Sequence, residues 1–122
     1  MLRNLLLIGL GGALGSILRY GTSLLVGSRP FPWATFIINI TGSFLIGLVM
    51  AYSLKNEWFN QHWKLFLATG FCGGFTTFST FSLENIQLLQ EGKWSLFAVY
   101  SAGSLLLGIM SIWLAFKFVN SV

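Results

Sequence analysis

Four long apolar stretches fill nearly the whole chain, and they constrain its fold more than any other feature. A membrane-spanning helix needs roughly 20 mostly apolar residues, and each stretch reaches that length. The stretches run from about Leu2 to Val26, Trp33 to Leu54, Trp63 to Leu89, and Trp94 to Val119. The chain is 55% hydrophobic and 8% charged, which is more apolar surface than a soluble domain of 122 residues can bury. The sequence therefore predicts an all-α integral membrane protein with four transmembrane helices in one domain, residues 1–122.

The short connections and the scarcity of ionisable residues exclude several classes of function. The segments 27–32, 55–62 and 90–93 are too short to form an extramembrane domain. The seven Lys and Arg residues are scattered, so the net charge of +4 does not indicate nucleic-acid binding. With no Asp, one His and one Cys, the chain cannot assemble a catalytic triad or a His/Cys metal site. We therefore expect neither an enzyme nor a nucleic-acid-binding protein.

Basic residues flank the stretches with little asymmetry between the two sides of the membrane. With four spans, the side of both termini carries Arg3, Lys55, Lys64 and Lys117, and the other side carries Arg29 and Lys93. Lys/Arg asymmetry sets the orientation of a membrane protein. The weak asymmetry of this chain predicts that it inserts in both orientations.

Residues 70–82 are the part of the chain least like a simple membrane anchor. Their sequence, GFCGGFTTFSTFS, places glycine and hydroxyl residues inside an apolar span. Glycine and β-branched residues weaken a helix, so we expect Gly73-Gly74 to interrupt the third helix near the bilayer centre. Non-helical backbone at that depth is tolerated where it is buried in protein or lines a cavity. The freed carbonyls of a broken helix coordinate cations, and its free N–H groups attract anions.

Polar side chains within the other spans are further candidates for an ion pathway. Thr35, Asn39 and Ser43 are spaced to stack on one helix face. Asn39 either holds a neighbouring helix or presents N–H donors to an anion. Glu84 is an intramembrane carboxylate and therefore a functional candidate. Arg19 either lines a vestibule or extends to the lipid headgroups.

Aromatic and small residues recur at helical spacing. Phe78 and Phe81 share a face if the helix resumes after the break, although simple packing or lipid contact explains them equally well. Tyr100 and Ser104 belong to one stripe of the fourth span, for which tight helix packing is the alternative. The GxxxG pattern that begins at Gly11 predicts a close approach of two helices.

Residues 70–82 resemble the signature of the Fluc (CrcB) family of fluoride channels, and the resemblance covers essentially the whole chain. Its other markers are GSILRY at 15–20 and NITGS at 39–43. The resemblance implies a fluoride-selective channel that exports fluoride from the cytoplasm by passive diffusion. It also implies four-helix subunits that pair as an antiparallel, dual-topology homodimer with two pores in the bacterial inner membrane.

The resemblance further implies roles for individual residues. A structural sodium ion is expected at the dimer centre, bound by the backbone carbonyls of Gly73 and Thr76 from each subunit. The residues matching the fluoride pathway of the family are Asn39, Phe78, Phe81, Glu84, Tyr100 and Ser104. A further pathway hydroxyl sometimes found in the family would fall at Gly108, so that role is not assigned in this chain.

Elementary chemistry agrees with these implied roles. Fluoride is small and strongly hydrated, so a pore must replace its water with hydrogen-bond donors. Those donors are the amide of Asn39 and the hydroxyls of Thr35, Thr80 and Ser104. Because an aromatic ring has a positive edge, Phe78 and Phe81 can face an anion without a formal charge that would trap it.

Two other functions are compatible with a small four-span protein. A dual-topology multidrug-efflux transporter needs a membrane-embedded carboxylate, for which Glu84 is the only candidate, and it leaves the GGxTTF run unexplained. A non-conducting assembly subunit explains the small-residue faces but not the combination of Asn39, Phe78 and Phe81.

Overall fold

The computed structural model describes all residues, Met1–Val122, and consists of helices joined by short connections, with no β-strand. Helix α1 spans Leu2–Val26, α2 spans Trp33–Lys55 and α6 spans Trp94–Ser121. Each of the three is long and apolar enough to cross a membrane. Their bounds lie within about two residues of three predicted stretches. The prediction of an all-helical protein with apolar spans is confirmed.

The remaining apolar stretch is divided into several helical pieces. They are α3 (Gln61–Lys64), a π-helical segment (Leu65–Cys72), α4 (Gly73–Phe75) and α5 (Phe78–Gln90). Thr76 and Thr77 have extended backbones, with ψ of 158° and 116°, and separate α4 from α5. No uninterrupted helix in this stretch is as long as α1, α2 or α6.

The interruption follows the glycine pair and does not fall on it, so the position predicted from the sequence is wrong. Gly73 has helical dihedrals, φ −63° and ψ −37°. A Cβ on Gly74 would overlap the backbone carbonyl of Gly12 in α1. Gly74 is therefore required for close helix contact, whereas the two β-branched threonines that follow favour extended backbone.

Helix α1 packs directly on the π-helical segment and α4 through glycine. A Cβ on Gly11 would overlap the carbonyl of Phe66, and one on Gly15 would overlap the carbonyl of Phe71. From the opposite side, a Cβ on Gly70 would lie 2.8 Å from the carbonyl oxygen of Ile8. The close approach predicted from the GxxxG pattern is confirmed.

Helices α2 and α6 form the second closely packed pair. A Cβ on Gly47 would lie 2.8 Å from the Cβ of Ala115 and 3.1 Å from the Cα of Ile112. Nearer the site described below, Gly108 of α6 faces the hydroxyl of Ser43 in α2. Contact between α2 and α6 thus extends over several helical turns.

Most of the apolar side chains point away from these contacts. Only 16 of the 122 residues are buried, and large side chains such as Ile17, Leu106 and Ile109 are exposed. A monomeric soluble protein rarely exposes so much contiguous apolar surface. The exposed surface is therefore suited to lipid, as expected for a membrane protein.

Candidate functional site

A groove of about 380 Å³ lies beside the interruption between α4 and α5. Residues of helices α2 and α6 and of the π-helical segment also line the groove. None of its lining residues is charged. Six of the predicted site residues line it: Asn39, Gly73, Thr76, Phe78, Phe81 and Ser104. The fold thus brings residues from distant parts of the chain to one uncharged, partly polar surface.

Asn39 binds the extended backbone at the interruption through both ends of its amide. Its Nδ2 donates to the Thr77 carbonyl at 3.1 Å, and its Oδ1 accepts from the Thr77 N–H at 2.8 Å. Of the two interpretations left open by the sequence, the interhelical contact is therefore present. A neutral amide carries two N–H donors, so one N–H of Asn39 is left after the bond to Thr77.

Side-chain bonds around the interruption leave two carbonyls without their usual helical partners. The Thr77 N–H, which would bond to Gly73 in a continuous helix, donates to Asn39 instead. The Thr80 N–H, which would bond to Thr76, donates to the Thr77 hydroxyl at 3.1 Å, so Thr77 caps α5. These are the two carbonyls for which the family resemblance implies a sodium ion.

Arg19 contacts the other side of the same interruption. Its Nε donates to the Gly74 carbonyl at 3.1 Å, and the Ser16 hydroxyl lies 3.4 Å from the same oxygen. Because α4 ends at Phe75, the Gly74 carbonyl is one of those that a helix end leaves without a main-chain partner. Arg19 does not line the groove, and the contact with Gly74 is one that neither sequence-based interpretation anticipated.

Aromatic rings continue from the groove into the protein. The centroids of Phe78 and Phe81 are 5.9 Å apart, and Phe81 lies 4.9 Å from Tyr100. Phe78 is 79% exposed, whereas Tyr100 is fully buried. Phe31 packs edge-on against the other side of Tyr100, at 5.5 Å. The rings therefore run from the open groove to a closed interior position.

Glu84 lies beyond Tyr100 and outside the groove. The Tyr100 hydroxyl donates to Glu84 Oε1 at 2.8 Å, and Thr35 of α2 is also buried. Glu84 lines a second, more polar cavity of about 500 Å³, together with Arg29 and Lys93. Tyr100 thus contacts Phe81, which lines the groove, and Glu84, which lines the second cavity.

Ser104 provides the least satisfied polar group of the groove. Its Oγ is buried and has no hydrogen-bond partner. Since buried polar groups are nearly always hydrogen-bonded, an unpartnered hydroxyl in the groove wall is available to a ligand. Thr80, in contrast, lines neither the groove nor the second cavity.

Three hydroxyl residues of the groove, Ser43, Thr69 and Thr77, were not assigned to the site from the sequence. A signal for Ser43 was present, because it shares a helix face with Thr35 and Asn39. Thr69 carried no comparable signal, since its direction depends on the π-helical winding of its segment. The roles of all these residues toward an ion stay predictions.

The fold and the groove define a class: a small, all-helical membrane protein with an uncharged, partly polar groove beside a helix interruption. A family model described as "CrcB-like protein, Camphor Resistance (CrcB)" matches residues 6–116. The chain belongs to the CrcB family.

Curated relatives cover nearly the full chain. The "Fluoride-specific ion channel FluC" of Azobacteroides pseudotrichonymphae is 43% identical over 119 residues, which is 95% of each chain. Proteins of the same name from Thermus thermophilus and Leptospira interrogans are each 49% identical. These alignments cover 92% and 91% of the two chains for the Thermus protein, and 88% and 87% for the Leptospira protein.

Proposed function

We propose that this protein is a fluoride-selective channel through which fluoride leaves the cytoplasm by passive diffusion across the bacterial inner membrane. The proposal rests on alignments that cover nearly the whole chain. In these alignments the chain is 43–49% identical to relatives named as fluoride-specific ion channels. Membership of the CrcB family over residues 6–116 supports it. The relatives' shared name is that of a channel, and not of an enzyme.

The chemistry of the groove supports passage of a small anion. The remaining N–H of Asn39 and the unpartnered hydroxyl of Ser104 supply donors that replace water around fluoride. The rings of Phe78 and Phe81 supply positive edges beside these donors. Because no charged side chain lines the groove, these sites bind weakly enough for the ion to leave again, as conduction requires.

Beyond the groove, Tyr100, Thr35 and Glu84 form the inner part of the proposed pathway. The Tyr100 side chain contacts the ring of Phe81 through its own ring and the Glu84 carboxylate through its hydroxyl. Thr35 is a buried hydroxyl residue of α2 and is proposed as a further donor. The second cavity on the far side of Tyr100 gives the pathway an exit that contains Glu84. Thr80 is the least supported member of the predicted pathway, since it lines neither cavity.

A structural sodium ion is compatible with the backbone at the interruption. A hard cation prefers oxygen ligands, and the carbonyls of Gly73 and Thr76 have lost their usual N–H partners. The two carbonyls of one chain are too few to complete the coordination shell of a sodium ion. A second copy of the chain would supply two more, which supports the sodium site at the centre of a homodimer.

We further propose that residues 61–90 form one interrupted membrane span, giving four spans in all. The stretch is apolar over the length that a span needs, and its break adjoins a groove in the protein, where non-helical backbone is tolerated. The weak Lys/Arg asymmetry supports insertion in both orientations. Subunits of opposite orientation would then pair antiparallel, with one pore in each.

The test is efflux from liposomes that contain the purified protein and are loaded with fluoride or chloride. Rapid fluoride efflux with little chloride efflux supports the channel. Proton-coupled uptake of a cationic drug would instead support the multidrug transporter, and inactivity in both assays the assembly subunit.

A further inference from the structure

Asn85 is a buried polar residue next to the proposed pathway, and its amide is bonded at both ends. It is 7% exposed, and Thr35 is the only other buried polar residue. Its Nδ2 donates to the carbonyl of Phe81, one turn earlier in α5, at 3.0 Å. Its Oδ1 accepts from the hydroxyl of Ser101 in α6 at 2.9 Å. The Asn85 side chain therefore connects the backbone of Phe81 to α6.

The bond between Asn85 and Ser101 runs beside the bond between Glu84 and Tyr100. Glu84 and Asn85 are consecutive residues of α5, and their partners Tyr100 and Ser101 are consecutive residues of α6. Two parallel bonds between the same helices fix both the rotation and the sliding of α5 relative to α6. Phe81 lies one turn from both bonds, with its ring 4.9 Å from that of Tyr100.

Apart from the bonds of Asn39 to Thr77 just before it, helix α5 has few other attachments within one chain. Two extended residues, Thr76 and Thr77, connect it to α4. Its packing is mainly against α6, with sparse contact to α2. The first residue of α5, Phe78, is 79% exposed. The orientation of the Phe81 ring is therefore set largely by how α5 is held on α6.

We propose that Asn85 and Ser101 are positioning residues that hold Phe81 against Tyr100 and thereby set the discrimination between fluoride and chloride. Neither residue lines the groove, so both act through Phe81. A ring that tilts away from Tyr100 widens the groove beside it, and selectivity depends on the width and the donors of a pore. The inference rests on the proposed function, since it concerns the selectivity of that pathway.

The experiment compares initial rates of fluoride and chloride efflux from liposomes containing the wild type and four variants. Ser101→Ala and Asn85→Ala each remove one partner of the bond. Ser101→Thr keeps the hydroxyl. Ser111→Ala removes an α6 hydroxyl that bonds only to the Leu107 carbonyl of its own helix, at 2.6 Å.

We expect Ser101→Ala and Asn85→Ala to lower the fluoride-to-chloride ratio by about threefold or more, the factor that one interhelical hydrogen bond in a membrane protein contributes. Ser101→Thr and Ser111→Ala should retain the wild-type ratio. A purely structural role would lower the amount of folded protein without changing this ratio, because both rates would fall together.

An unchanged ratio in Ser101→Ala overturns the proposal, and so does an equal loss in Ser101→Thr. If Asn85→Ala yields no folded protein, the comparison of Ser101→Ala with Ser101→Thr decides alone. A wild type without selective fluoride efflux refutes the proposed function itself. A selective wild type with an unaffected Ser101→Ala variant refutes only the positioning role.

Discussion

The side-chain amide of Asn39 and the backbone of Thr77 exchange two hydrogen bonds, at 3.1 and 2.8 Å. The amide thereby replaces the main-chain partners that Thr77 lacks at the interruption between α4 and α5. An extended segment without such partners is costly away from water. This relationship links the fold to the proposed function, since the same side chain lines the groove.

Asn39→Ala should therefore destabilise the protein as well as reduce fluoride flux. The variant leaves both the N–H and the carbonyl of Thr77 unpaired, and each unpaired group costs about 1–3 kcal/mol when buried. Denaturant unfolding in detergent measures the loss. Asn56→Ala is the matched control, because the Asn56 amide bonds only to the Tyr52 carbonyl in an exposed helix end. Equal stability of the two variants would contradict the role given to Asn39.

Arg19→Ala should destabilise the protein by about 1.5–3 kcal/mol, the range for a hydrogen bond to a charged group. The loss arises because the Gly74 carbonyl loses the Nε–H of Arg19. Arg19→Lys keeps the charge but not the planar guanidinium, so its stability should be close to that of Arg19→Ala. Thermal unfolding measures the stability of Arg19→Ala and Arg19→Lys. Arg29→Ala is the control, because Arg29 is exposed. Full stability of Arg19→Lys would show that charge alone is required.

Gly74→Ala should disrupt the contact between α4 and α1. Its new Cβ would overlap the backbone carbonyl of Gly12, which cannot move away as a flexible side chain can. Overpacking of this kind costs about 1–3 kcal/mol. Gly9→Ala is the control, because a Cβ at Gly9 meets nothing within 4 Å, and it should gain up to about 1 kcal/mol of helix stability. A Gly74→Ala variant as stable as Gly9→Ala would refute the close contact.

Phe81→Ile should lower fluoride flux by about three- to tenfold while the protein stays folded and assembled. The change removes the ring edge and its contact with Tyr100, an interaction worth about 0.5–1.5 kcal/mol. Liposome efflux gives the flux, and size-exclusion chromatography reports the assembly. Phe118→Ile is a suitable control, because Phe118 is 58% exposed on α6 and lines neither cavity. Wild-type flux in Phe81→Ile would remove the argument from the ring edge.

The sequence predicted the long helices well because their signal is local. Apolar runs bounded by Gly27 and Pro32 or by Lys93 give helix limits within about two residues of those observed. The GxxxG face at Gly11 was also predictable, since its spacing requires no knowledge of the partner. The close approach that the pattern predicted is found between Gly11 and the carbonyl of Phe66, a partner that the pattern did not specify.

The interruption was harder to locate because glycine has two uses that look alike in a sequence. The sequence predicts that Gly73 and Gly74 weaken the helix, yet both are helical, and the absence of a side chain at Gly74 allows the close approach of the Gly12 backbone. The break depends on Thr77, whose N–H and carbonyl are satisfied by Asn39 from another helix. Such a long-range partner has no local signal.

The same limit applies to Arg19 and Asn85. The sequence marked Arg19 as a costly charge within a span, but its acceptor, the Gly74 carbonyl, is 55 residues away. Asn85 showed no pattern at all, and its role depends on the register of α5 against α6. Side chains whose partners lie in other helices therefore cannot be recognised before the folded structure is known.

The most direct test of fluoride selectivity is the reversal potential of the current through the purified protein in a planar bilayer, with concentrated fluoride on one side and dilute fluoride on the other, where chloride makes up the difference. A pathway of uncharged donors that passes fluoride and rejects chloride predicts a reversal potential close to the fluoride equilibrium potential. It also predicts that the potential follows the fluoride gradient when the cation is exchanged. A reversal potential near zero, or one that follows chloride or the cation, would contradict the account.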